Sequence, residues 1–118
     1  MEDPDTVRDF AREFNATHDR LDVLIHNAGA IHPQFRTDEA GTELTVLGQV
    51  TAPFLLTRLL MPTLLAAAPS RVITVSSGGG RRAPGLLPGQ QPILLTPEQG
   101  ADTIVWQALS PSTSGSVV

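Results

Sequence analysis

The sequence predicts an α/β fold: a partial parallel sheet with flanking helices. Three observations carry this reading. Residues 21–25, "LDVLI", and 71–76, "RVITVS", are short apolar or β-branched runs of the kind that form buried strands. Residues 42–68 lie between them and carry a helical apolar pattern. A strand, a helix and a second strand joined in that order make a parallel pair with a right-handed crossover.

Each element has its own signals. The first helix starts at Asp3-Pro4, where Asp3 can cap and Pro4 suits the first helical position. Val7, Phe10, Ala11 and Phe14 follow as one apolar stripe, opposite Arg8, Asp9, Arg12 and Glu13, and the pattern ends near His18. The first strand, residues 21–25, is apolar enough to be covered on both faces. Residues 30–38 read as loop. The long helix, residues 42–68, should kink at Pro53, because an interior proline removes a hydrogen bond and crowds the preceding turn. The second strand is residues 71–76, and the Gly- and Pro-rich residues 78–95 read as loop. A last helix begins at "TPEQ", with Thr96 as cap, Pro97 at the first position and Gln99 completing a capping box. Ala101, Ile104, Val105, Ala108 and Leu109 form its apolar stripe, with Trp106 off it. At 118 residues the chain has the size of one domain, assigned to residues 1–110, and residues 111–118, "PSTSGSVV", are expected to be a disordered tail.

Composition narrows the function classes. The net charge is −4 and no basic stripe is present, which argues against nucleic-acid binding. The acidic start, "MEDPDTVRDF", has no apolar core of a signal peptide. The most apolar stretch, residues 52–69, is interrupted by Pro53, Arg58 and Pro62, so a buried helix is expected there and not a membrane span. The absence of Cys fits a reducing compartment, and the cytoplasm is the expected location. All eight basic residues are Arg; the chain contains neither Lys nor Tyr.

Ligands of open parallel sheets bind outside the carboxyl ends of the strands. Here those ends are Asn27-Ala28-Gly29 and Ser76-Ser77-Gly78. Gly29 lets a flat ligand approach the backbone, the Asn27 amide can both donate and accept, and Ser77 adds a hydroxyl. The residues alone thus predict a small polar crevice.

"LDVLIHNAG", "FLLTRLLMPTLL" and "RVITVSSGG", in that order, resemble the middle of a short-chain dehydrogenase/reductase. With "TPEQGADTIVWQAL", the resemblance leans to the type called SDR family member 12. It implies a doubly wound, Rossmann-like sheet, NAD or NADP as cofactor, and a small-molecule carbonyl or alcohol as substrate. It also implies that Asn27, Ala28 and Gly29 border the adenosine side of the cofactor and brace the sheet, and that Ser77 is the remnant of the catalytic serine that hydrogen-bonds the substrate. His26 stands where many members have a second Asn, and a helical Asn of the family falls on Gln49, one methylene longer.

The departures bear on activity. The family's first strand and its glycine-rich pyrophosphate turn have no counterpart in this sequence, so the dinucleotide is not expected to be held firmly. The family's Tyr and Lys, which transfer and tune the proton, cannot be supplied by a chain that lacks both residue types. "GGGRRAPGLLPG" reads as a join between the loop after the serine and a much later segment. The expectation is a truncated, internally deleted fragment that lacks competence as it stands and self-associates through exposed sheet edges. Its alternative is a non-catalytic interaction fragment or small binding module.

Other chemistries fit less well. His26 and His32 lack the spacing of a metal pair, and no metal is expected. A hydrolase triad of Ser77, His26 and Asp22 lacks the Gly-x-Ser-x-Gly elbow. The triple glycine 78–80 is followed by Arg81-Arg82 and not by the Lys-Ser/Thr of a phosphate loop.

Overall fold

The protein is described by a computed structural model covering residues 3–30, 32–76 and 97–111. It forms two compact units, Met1–Val72 and Ile73–Val118. The architecture is α/β, a partial Rossmann-like arrangement with a small parallel two-stranded sheet.

Helix α1 spans Pro4–Thr17, capped as the sequence predicts. The Asp3 carboxylate accepts from the Asp5 and Thr6 amides at 3.0 and 3.2 Å and from the Thr6 hydroxyl at 2.6 Å. These bonds hold the Asp3 carboxyl below its ordinary range, the Thr6 hydroxyl contributing most. Val7 and Ala11 are buried and Phe14 packs partly against the core. Phe10, expected on the same stripe, is exposed and lies against the Phe14 ring. On the outer face, Arg8 pairs with Asp5 and Arg12 with Asp9, each at 2.8 Å.

Strand β1 is Val23–His26, two residues later at its start than the apolar run predicts. Leu21 is used differently: its amide donates to the Thr63 carbonyl at 2.9 Å. Asp22 pairs with Arg20, and its carbonyl accepts the Arg71 amide at 2.9 Å, so pairing of the strands begins there. Strand β2, Arg71–Thr74, ends two residues before the predicted boundary. The sheet is not covered on both faces as the sequence predicts. Leu24 packs against the core, whereas Ile25 and Val72 are exposed.

The crossover is a chain of short segments where one kinked helix is expected: α2 at Leu44–Val46, a π-helical turn at Leu47–Thr51, α3 at Ala52–Leu59 and α4 at Met61–Ala66. Proline accounts for both interruptions. Pro53 has no N–H for the Gln49 carbonyl four residues earlier, and the helix widens there, the Ala52 amide reaching back to Leu47. Pro62 likewise cannot donate to Arg58, and Leu60 between them sits at φ −90°, ψ 2°.

The core of the first unit lies between α1 and the crossover: Val7 and Ala11 meet Ala52, Leu56, Leu60 and Leu64. Asn15 locks the far end of α1, donating to the Leu59 carbonyl at 2.9 Å and accepting from the Thr63 hydroxyl at 3.3 Å.

In the second unit, α5 spans Pro97–Leu109 as the sequence predicts. Ile104 and Ala108 are half-buried, but Val105 and Leu109 of the expected stripe are exposed beside Trp106. The expected cap Thr96, the join at 78–89 and residues 112–118 of the expected tail lie outside the described residues. Among the described residues, no helix is long and apolar enough to cross a membrane.

Candidate functional site

Asn27, Ala28 and Gly29 leave β1 at its carboxyl end and are exposed. Ala28, Gly29 and Ala30 form one wall of a small crevice; Thr45, Gly48 and Gln49 form the other, and its volume is about 150 Å³. The second wall is positioned by the loop before it. Gly41, at φ 82°, turns the chain back so that its amide donates to the Asp38 carbonyl and the Thr42 amide to the Asp38 carboxylate. The Glu43 carboxylate then caps the helix start, accepting from the Val46 amide at 2.8 Å. Backbone donors in this first turn, Thr45 foremost, keep Glu43 below its ordinary range.

The strand end and the crossover are tied twice. Gln49 donates its amide to the Ala30 carbonyl. His26 Nε2 lies 2.7 Å from the Thr57 hydroxyl, which donates to the Pro53 carbonyl at 2.9 Å. Gln49 and Thr57 flank Pro53 four residues to either side, so the proline that breaks the helix is also the centre of the clamp. Burial lowers the His26 pKa from its ordinary value, favouring neutral imidazole.

The expected site residues are placed unevenly. Ala28 and Gly29 line the crevice, whereas the Asn27 side chain makes no hydrogen bond among the described residues. Above Gly29 the space is open: a Cβ there would meet no atom within 4 Å. Ser77 lies outside the described residues, as do Gly78–Gly80 and Arg81-Arg82. Among the described residues, no group of three or more His, Cys, Asp or Glu could hold a metal ion. The His26–Thr57 tie is absent from the sequence-level prediction, since a residue pair 31 apart has no local periodicity to announce it.

Comparison with known proteins decides the lineage. The sequence pattern of the short chain dehydrogenase family matches residues 1–88. The chain belongs to the short-chain dehydrogenase family. It is 49% identical over 77 residues to dehydrogenase/reductase SDR family member 13 of Bos taurus, covering 65% of this chain and 20% of that protein. The human protein of the same name is 51% identical over 72 residues, 61% of this chain and 19% of the relative. Retinol dehydrogenase 14 of Mus musculus is 43% identical over 72 residues, 61% and 22%. The chain thus spans about a fifth of the length of these relatives. These matches establish the family; the resemblance to the member 12 type is finer than they resolve. No solved structure matches the chain.

Short-chain dehydrogenase membership gives the crevice its context. Ala28 and Gly29 make a small, exposed wall of the crevice, with open space above Gly29. At about 150 Å³ the crevice falls below the roughly 300 Å³ at which ligand pockets begin.

Proposed function

We propose that this chain is a segment of an NAD(P)-dependent oxidoreductase acting on a small-molecule carbonyl or alcohol. In this reading Asn27, Ala28 and Gly29 border the bound dinucleotide, and Ser77 hydrogen-bonds the substrate oxygen. The cytoplasm is the compartment that its Cys-free composition fits. The observation that carries the reading is the open face of Gly29 in a crevice at the carboxyl end of β1. When bound, the nicotinamide supplies the hydride donor or acceptor. The chain's own share is to present a side-chain-free surface to a flat ring and to hold that surface through Gln49 and His26.

These 118 residues contain no Tyr and no Lys, so they do not supply the family's proton-transfer pair. Loss of a positioned acid or base costs about 10²–10⁴-fold in rate. The expected result with NAD(P)H and a panel of carbonyls is no turnover above background. Robust turnover by this chain alone would refute the non-competent reading. Cofactor contact is tested separately, by NADH titration of the chain and of Gly29→Val: a side chain in the open space should abolish whatever weak binding the parent shows.

A second reading, an interaction fragment, is favoured by one observation. The crossover exposes Val46, Val50, Phe54 and Leu65, and the sheet exposes Ile25 and Val72.

A further inference from the structure

We propose that His32 is the ligand-contacting side chain of the strand-end crevice, and that the group it meets is an uncharged hydroxyl or carboxamide on a flat ring and not a phosphate. His32 in this role presupposes the dinucleotide reading of the crevice and narrows it to the uncharged part of that ligand.

The polar groups of the crevice point to His32. Among the described residues three polar side chains line it: His32, Thr45 and Gln49. Two of them are committed within the protein. Thr45 gives Glu43 both its amide and its hydroxyl. Gln49 gives its side-chain amide to the Ala30 carbonyl. His32 is half-buried and stands two residues beyond Ala30, whose neighbour Gly29 leaves its face open. An imidazole has two ring nitrogens, so one can serve a protein partner while the other meets a ligand.

Charge decides the kind of group. Glu43 immediately precedes Leu44 and Thr45, both of which line the crevice. Its carboxyl is held below the ordinary range by the Thr45 amide foremost and by the charge of His32 last, so it stands there ionised. Asp38 brings a second carboxylate to the same loop, accepting the Thr42 amide at 2.7 Å. None of the described lining residues is Arg, and the chain has no Lys. A phosphate entering here would meet like charge with no fixed cation to offset it. It would also find the Val46 amide taken, since Glu43 accepts that bond at 2.8 Å. An uncharged ring edge meets no such repulsion, and an imidazole matches either a hydroxyl or a carboxamide.

The test is an NMR titration of the 118-residue chain with four separate probes: NADH, adenosine, N-methyl-1,4-dihydronicotinamide and inorganic pyrophosphate. NADH and at least one uncharged fragment should shift the His32 ring and the Gly29 amide together, and the fragment that responds identifies the half bound. Pyrophosphate should move neither signal. His32→Ala should weaken NADH and that fragment about 2–10-fold. His32→Gln, which keeps a donor and an acceptor, should restore most of the loss. Pyrophosphate shifts at these signals, silence from both uncharged fragments, or His32→Ala binding as tightly as the parent would each overturn the role of His32 and leave the dinucleotide reading in place. NADH that ignores Gly29→Val, or that does not bind, removes that reading and the role of His32 with it. The pyrophosphate arm uses the parent chain, so it decides even if the His32 variants fail to fold.

Discussion

Two glycines separate backbone need from ligand need at the scale of single residues. Gly41 sits at φ 82°, where a side chain is strained, so Gly41→Ala should cost about 1–2 kcal/mol in denaturant unfolding. Gly29 is not at positive φ, and a Cβ there meets nothing within 4 Å. Gly29→Ala should leave stability unchanged within about 0.5 kcal/mol, its effect appearing only against a ligand. A large loss on unfolding would make Gly29 a folding residue and remove the argument for a cofactor wall. Leu60 gives the opposite contrast: it is 2% exposed at the junction of α3 and α4. Leu60→Ala should destabilise by about 2–5 kcal/mol, enough to unfold a small core.

At the scale of elements, the decisive residue is Pro53. Pro53→Ala restores an N–H that can bond the Gln49 carbonyl, so the π turn should tighten to regular helix. The Gln49 side-chain amide should then lose its hydrogen-bonded proton shifts as it rotates away from Ala30; unchanged shifts would show that the loop, not the proline, places Gln49. The two helix caps have an acid limit. Asp3 and Glu43 are both held below their ordinary values of 3.8 and 4.5, so their stabilisation is present above those values and is lost as pH falls through the lower folded ones. Helical circular dichroism followed below pH 4.5 should fall accordingly, and Asp3→Asn should blunt the α1 part of that loss.

What the sequence made legible follows the same division. Local chemistry announced α1 and its cap, the order strand–crossover–strand, the start of α5 at Pro97 and a disturbance near Pro53. It missed what depends on partners distant in the chain. Leu21 looks like a strand residue, but its amide is taken by Thr63. The break before Pro62 was hidden because Leu, Met and Thr around it continue the apolar pattern. Of the candidate site, Ala28 and Gly29 were readable because small residues end an apolar run, and they line the crevice. The His26 and Gln49 ties were not readable as contacts, since each depends on where the crossover helix returns.

At the scale of the whole molecule, the sheet has two strands among the described residues, and several large apolar side chains face outward. Phe54 is 66% exposed and Leu65 67%. Sedimentation across a concentration series should show association. A monomer with one sharp, two-state unfolding transition would count against it and favour a self-sufficient binding module.

Three ion pairs of the first unit join near neighbours: Arg8 to Asp5, Arg12 to Asp9, Arg20 to Asp22. None of these three staples one element to another. Raising ionic strength screens these exposed pairs, which contribute little, and leaves the Leu60-centred packing alone. Salting-out anions such as sulfate strengthen apolar burial instead. Moving from dilute buffer to strong sulfate should thus pull this chain towards tighter cores and larger assemblies, with little lost from these three pairs.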